Sequence, residues 1–324
     1  MDVNELAGAA CEPGVDARLI LGCDARLDWH AEFGPFPESR FAALGTKNWT
    51  LLVQAVDAWS EPVSGLIDSF DFLPRWSLDD VMVSYSPVGG GVGPHFDNYD
   101  VFLIQASGQR LWRTGQKCSA KTPLRSDSNL RLLQQFDEQN SCETAPGDVL
   151  YVPAGLAHWG TALTDDCITC SVGFRAPSHA EVVQHAAQLL IENMTDDQRV
   201  SVGPEGRATD SSEIGAAMLK RLEMLQASLA SEDLQTALVR AFGILVTQPR
   251  EDELRPDDEA PATRATVPGG AAQSVVLLER ARTAYVSTPT GADLFVDGEV
   301  IATTLEFAQE VCARSVGNKP VPAK

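Results

Sequence analysis

Between Gly89 and Asp97 the chain reads GGGVGPHFD, a run with few ways to fold. Its three consecutive glycines let the backbone bend tightly with positive φ, and Pro94 fixes the direction in which the chain leaves the bend. His95 and Asp97 then continue on an extended segment, where residues two apart point the same way. An imidazole and a carboxylate thus face one point in space. That is two-thirds of the facial triad that holds non-haem Fe(II) with three positions left open.

A third ligand has to come from elsewhere, and the chain has only five histidines. His30 lies in an irregular N-terminal stretch, while His179 and His185 fall on a helical pattern after residue 177. His158 ends Pro146–His158, PGDVLYVPAGLAH. There Pro-Gly-Asp turns into a strand and a second Pro/Gly turn delivers the histidine, as in the metal-binding turn of cupin-like barrels. A lone His-X-Asp is most often a hydrogen-bonded surface pair. The second turn, with a histidine 63 residues downstream, makes His95, Asp97 and His158 a candidate metal set with the ligand spacing of a double-stranded β-helix oxygenase.

Iron in such a site needs an electron-donating cosubstrate, and 2-oxoglutarate requires a cation for its far carboxylate. Arg110, on the strand-like stretch QRLWRT, can clamp a carboxylate with two parallel hydrogen bonds. Arg113 competes for that role, but the two are three apart, so on a regular strand only one points inward. Thr169 and Ser171 share a face of the strand-like stretch Cys167–Phe174 and are candidates to touch the cosubstrate. Ser86, Tyr99 and Asp100 flank the glycine run and are candidates to line the mouth that admits substrate; ordinary strand and turn roles explain them equally well. Cys167 and Cys170 have no second Cys pair and face opposite sides of one strand, so they read as buried core thiols. Trp112 and Trp159 read as core packing near the site.

From about residue 45 to residue 177 short apolar runs are punctuated by Gly, Pro and Asp, the texture of an antiparallel β core. Candidate strands are Asp80–Ser86, Val101–Ala106, Gln109–Thr114, Asp148–Val152 and Cys167–Phe174, and Asn48–Trp59 repeats apolar residues at helical spacing. After Pro177 the texture turns helical. Ser178 with Glu181, and Asp210 with Glu213, stand as capping boxes, and a third stretch places Leu234, Leu238, Phe242 and Leu245 on one face before Pro249. Residues 251–270 have the acidic, Pro/Gly-rich composition of a solvated linker. A small module comes next: strand-like Ser274–Leu278, a hairpin Leu294–Ile301 turning at Asp297-Gly298, and a helix capped by Thr303 and Glu306.

Charge narrows the function classes. The net charge of −20 at neutral pH repels phosphate backbones and attracts basic partners, so direct nucleic-acid binding is disfavoured. No stretch reaches the roughly 18 consecutive apolar residues of a spanning helix, and the first residues lack the basic-then-apolar order of a secretion signal. Neither a membrane nor an exported protein is expected. Seven dispersed cysteines, an odd number, read as reduced thiols in a cytoplasmic protein.

The run SYSPVGGGVGPHFDNYDVFLIQASGQRLWRTG, with PGDVLYVPAGLAHWG and SVGFRAP, closely resembles the bacterial ribosomal oxygenases, over about residues 5 to 310. These are JmjC-type, cupin-fold hydroxylases of an arginine on a large-subunit ribosomal protein. The resemblance implies that His95, Asp97 and His158 bind Fe(II), that Arg110 takes the distal carboxylate of 2-oxoglutarate, and that O2 is the co-reactant. It implies a mainly β fold with α: a double-stranded β-helix over 1–177, a helical dimerisation region over 178–250, the linker 251–270, and a winged-helix-like α+β module over 271–324, assembled as a homodimer. Family members begin with some tens of residues more, including a Trp-rich helix and a Lys-Pro strand, and extend further at the other end. By that likeness the barrel is N-terminally short and the last module incomplete.

Two other readings stay open. An inactive or truncated cupin-fold binding or scaffold protein would not turn 2-oxoglutarate into succinate. A metal-dependent isomerase or dioxygenase on the same barrel would not need the Arg110 clamp.

Overall fold

The structure is a computed structural model that describes residues 2–25, 27–192, 194–195, 216–229, 232–249, 263–266, 274–277 and 281–315. The chain divides into two units, the first carrying Met1–Ala176 and the second carrying Pro177–Pro249 with Pro261–Lys324.

Ten strands build the first unit: β1 (Ala17–Leu21), β2 (His30–Phe33), β3 (Trp49–Val53), β4 (Leu78–Ser86), β5 (Asp100–Ser107), β6 (Arg110–Lys117), β7 (Asn140–Thr144), β8 (Val149–Val152), β9 (Leu156–Ala162) and β10 (Cys167–Phe174). They form a seven-stranded sheet in the order β2-β1-β3-β4-β10-β5-β8 and a three-stranded sheet in the order β7-β6-β9. Every pairing is antiparallel. Strand alternation gives each sheet two faces. On one face of the large sheet, Leu51, Val53, Val81, Val83, Cys170 and Val172 pack with Leu6 of the helix Val3–Ala9 into the main core. On the other face Val101, Leu103 and Val152 meet Trp112 of the small sheet, so the two sheets enclose an interior. Ser86, Gln105, Arg110, His158, Thr169 and Ser171 are all buried, an unusually polar group for a core.

Asn48–Trp59 is a correction to the helical reading. It contains β3, which lies between β1 and β4, and then a short 3₁₀ turn at Val56–Ala58. Asn48 and Ala55 both take left-handed backbone, at φ 64° and 50°, and no helix continues through such residues. Between them the run Trp-Thr-Leu-Leu-Val is buried on both faces, with Thr50 its one polar side chain. That composition mimics helical spacing.

In the second unit the helices are His179–Glu192, Ala216–Leu229 and Glu232–Thr247. Ser178 and Glu181 exchange the two hydrogen bonds of a capping box, whereas Asp210 and Glu213 lie outside the described residues. The last of these helices packs most deeply through Ala237 and Ala241, against Ala186, rather than through the expected leucine stripe. Small side chains let two helices approach closely, which leaves Leu234 and Leu245 half-buried at the margin. β11 (Thr263–Thr266), inside the stretch expected to be linker, pairs with β12 (Ser274–Leu277), where a strand was expected. A three-stranded sheet of β13 (Thr283–Thr288), β14 (Gly291–Val296) and β15 (Glu299–Thr303) comes after it, with the expected turn at Asp297-Gly298, both left-handed. The final helix, Leu305–Ser315, is capped by the Thr304 hydroxyl on the Phe307 N–H, one residue later than the Thr303 expected, because Thr303 still belongs to β15.

The glycine run fits this frame through close approach as much as through φ. Only Gly89 and Gly93 of its four glycines have positive φ; a Cβ on Gly91 would collide with the Gly160 carbonyl oxygen of β9. That oxygen is backbone and cannot swing away. Gly91→Ala is therefore expected to cost about 1–3 kcal/mol of stability in urea unfolding. A variant as stable as its parent would mean that the run does not lie against β9.

Candidate metal centre

The glycine run is zipped antiparallel along β9. Gly89 N–H donates to Ala162 O at 2.9 Å and Ala162 N–H to Gly90 O at 2.8 Å. His95 and His158 then exchange both backbone bonds, at 3.0 and 2.8 Å, and Gly155 N–H donates to Asp97 O at 2.7 Å. Two residues 63 apart in the sequence thereby become direct neighbours, and their imidazole centroids lie 4.2 Å apart. Phe96 points the other way and is buried with Cys118, Leu133 and Ala157, which fixes the side from which His95 and Asp97 emerge.

Asp97 Oδ2 lies 4.0 Å from His95 Nε2 and 3.6 Å from His158 Nε2. Both separations are too long for hydrogen bonds. At these separations all three residues can still reach one ion at about 2.0–2.2 Å from each. One donor atom from each of the three residues falls within a 4.8 Å cluster. Each imidazole is also committed at its other nitrogen: His95 Nδ1 meets Gly93 O at 2.9 Å and His158 Nδ1 meets Leu156 O at 3.0 Å. A carbonyl only accepts, so Nδ1 carries the hydrogen in both rings and each Nε2 turns a lone pair toward Asp97. Gly93 is held in turn by Trp29, whose ring would lie 2.8 Å from a Cβ at that position. Burial, then the neighbouring His95, pushes His158 down to about 4, so the ring is neutral and fit to bind a cation at physiological pH.

Arg110 shares this interior. It is 3% exposed, and among the described residues no carboxylate pairs with it. Its Nη2 donates to Ser86 Oγ at 2.9 Å, Ser86 Oγ lies 2.9 Å from Thr50 Oγ1, and its Nε has no partner. The guanidinium carbon stands 5.6 Å from the Trp112 ring centroid. Burial pulls the Arg110 pKa down, the direction expected of a cation short of a counter-ion. A buried unpaired charge is destabilising by several kcal/mol until an anion reaches it. Arg113 is placed differently: it pairs with Asp24 at 3.2 Å, donates to Thr161 Oγ1 at 3.2 Å and stacks 4.6 Å over Trp159. Its charge is already met by a carboxylate, unlike that of Arg110.

The remaining candidates separate. Thr169 Oγ1 donates to Gln105 Oε1 at 3.2 Å and, with buried Ser171, lines the inner face of β10. Tyr99 stands beside Asp97, and burial together with that carboxylate raises its phenol pKa. Ser86, expected at a mouth, is instead fully buried as the Arg110 partner. Asp100 accepts from Tyr151 Oη at 2.8 Å and Ala154 N–H at 3.2 Å. It therefore braces the turn that leads into β9 and not the metal cluster. Thr50 and Gln105 escaped the sequence reading, although Gln105 is the one polar side chain in VFLIQA, an anomaly that alternation can flag.

The His158 shift has a measurable consequence. The unfolded imidazole protonates near 6.5 and the folded one near 4, so as pH falls through that interval the unfolded chain takes up the proton first. The metal-free fold should hold its full stability above pH 6.5 and lose it progressively down to about pH 4. Unfolding midpoints measured across this range should show that slope in the parent and a flatter one in His158→Gln; equal slopes would contradict the buried neutral ring.

A family model for the JmjC domain matches residues 65–182. The chain is 43% identical over 189 residues to the ribosomal protein uL16 3-hydroxylase of Escherichia coli K12, covering 58% of this chain and 49% of that protein. It is 43% identical over 183 residues to a probable ribosomal oxygenase of Haemophilus influenzae, covering 56% and 44%. The chain thus spans about half the length of the curated relatives it matches. A solved structure of YcfD, a ribosomal oxygenase from Escherichia coli in complex with cobalt and 2-oxoglutarate, superposes with a TM-score of 0.70 at 28% identity, over 97% of this chain and 88% of that one. Residues 65–182 hold β4 to β10 and all three converging donors, and in sequence and fold the chain is similar to the bacterial JmjC ribosomal oxygenases.

Proposed function

We propose that the chain is an Fe(II)- and 2-oxoglutarate-dependent dioxygenase that hydroxylates an arginine residue of a large-subunit (50S) ribosomal protein in the cytoplasm. One juxtaposition carries the reading: three donors at metal spacing and, in the same interior, a buried guanidinium without a carboxylate. The relatives support it, since one is a uL16 hydroxylase and the YcfD structure holds cobalt and 2-oxoglutarate.

Bound iron, with 2-oxoglutarate and O2, supplies an oxidant that turns a C–H bond into C–OH while the keto acid is split to succinate and carbon dioxide. The residues of this chain do the placing. His95, Asp97 and His158 offer two neutral nitrogens and one negative oxygen, a set that favours a divalent cation. Arg110, held by Ser86, takes the distal carboxylate of 2-oxoglutarate, with Thr169 and Ser171 lining the same interior. Val101, Leu103, Trp112 and Val152 keep water from the site. Tyr99, beside Asp97, faces substrate. The net charge of −20 draws in a basic ribosomal protein rather than nucleic acid. The helices within 178–250 serve as a homodimer surface, and 271–324 is a winged-helix-like module with an interaction role.

His95→Ala should abolish succinate formation. Arg110→Ala should keep the metal but weaken 2-oxoglutarate binding roughly 100-fold, the effect of losing about 3 kcal/mol of charge-assisted hydrogen bonding. Normal cosubstrate affinity in that variant would place the clamp elsewhere. The substrate assignment is tested by incubating the protein with iron, 2-oxoglutarate and uL16 and fragmenting the product. A gain of one oxygen on an arginine is expected. A gain on histidine would correct the target, and no gain with metal bound would leave the scaffold reading.

A further inference from the structure

On the face of the large sheet that carries the main core, the packing ends in an open row of aromatic rings. Phe70 and Phe174 are buried there, and the Phe102 centroid stands 5.0 Å from the first and 5.7 Å from the second. Phe102 in turn meets Tyr151 of β8 at 4.9 Å and Phe72 at 6.2 Å. Phe72 is 65% exposed, Tyr151 50%, and Val149, which shares the outer face of β8 with Tyr151, 54%. β8 is an end strand of its sheet, so among the described residues no further strand covers this margin. Apolar side chains that touch one another and still face water mark a surface for another molecule.

The charges around these rings choose the occupant. The segments that build the face, 61–73, β5 and 145–152, hold five carboxylates and no lysine or arginine. Arg75 pairs with Asp68 at 3.1 Å and Lys117 Nζ donates to Ala154 O at 2.7 Å, while Asp71, Asp100 and Asp148 have no ion pair among the described residues. Asp100 Oδ1 accepts from the Tyr151 hydroxyl at 2.8 Å, which puts a carboxylate at the edge of the rings. A second copy would bring the same acids and another −20 of charge, and nucleic acid or an anionic membrane would be repelled as well. A guanidinium or ammonium suits the place, since it lies on an aromatic face and pairs with a carboxylate beside it. We propose that this face docks a basic segment of the substrate ribosomal protein, outside the catalytic interior, with cations laid on Phe72 and Tyr151 and met by Asp71 and Asp100. Asp100 also accepts from Ala154 N–H, in the turn whose Gly155 N–H donates to Asp97 O, so one end of the face adjoins the metal centre. The inference rests on the reading that the substrate is a basic ribosomal protein.

The test compares turnover of intact uL16 with that of a short uL16 peptide that keeps the hydroxylated residue but lacks the flanking basic segments, on the full chain with Fe(II), 2-oxoglutarate and O2. Phe72→Ser should raise KM for intact uL16 about 10-fold, the size of losing one aromatic contact at the centre of an interface. Its kcat on intact uL16, and kcat/KM on the short peptide, should stay within twofold. Asp71→Lys should act in the same way at low ionic strength, with a deficit that shrinks as salt is added. Both side chains are exposed, so neither variant opens the core. An unchanged KM for intact uL16 in either variant, or equal losses on both substrates, overturns the docking role. A changed sedimentation coefficient with KM unchanged gives the face to a second copy and overturns it too. A parent that hydroxylates neither substrate removes the substrate reading, and this inference goes with it.

Discussion

The two backbone hydrogen bonds between His95 and His158 decide whether this molecule has a metal site at all. In an antiparallel ladder the side chains alternate, so a slip of one residue would turn His158 out of the interior and bring Trp159 in. The register is held by bonds on both sides of the pair, at Gly89, Gly90 and Ala162 and at Gly155 and Asp97. Glycine is required where the two backbones nearly touch, because any side chain on Gly91 would drive the run off β9 and carry His95 with it. Backbone packing thus sets the chemistry, and the imidazoles follow.

Around this pairing the interior departs from an ordinary core. Arg110, Gln105, Ser86 and Thr169 occupy positions that apolar residues would fill more stably. Arg110, Ser86 and Thr50 form one hydrogen-bonded chain beside the Thr169–Gln105 pair, and that chain stops at Arg110 Nε. A fold built for stability alone would close it. Left open, it makes the ligand-free protein less stable and the ligand-bound one more so, which is the coupling between binding and folding expected of a site shaped for an anion.

Much of this was legible in the sequence where local chemistry and tertiary structure agree. The stretches containing β4, β5, β6, β8 and β10 announce themselves by alternation and by the turns between them, and β10 runs over the residues expected, Cys167–Phe174. The donors His95, Asp97 and His158 were legible because each lies just past a Gly/Pro turn, a signal that does not depend on the rest of the fold. β3 was not, since a strand buried on both faces has no alternation to read. The roles of Ser86 and Asp100 were left undecided for a related reason. Their position next to the glycine run is a fact about sequence, whereas their partners, Arg110 and Tyr151, come from other strands.

Three donor atoms that converge on one point are the centre of this molecule. Crystals of the chain soaked anaerobically with Fe(II) and measured at the iron absorption edge should show a single anomalous peak within bonding distance of His95 Nε2, His158 Nε2 and an Asp97 carboxylate oxygen. A peak elsewhere, or one bonded through either Nδ1, would contradict it.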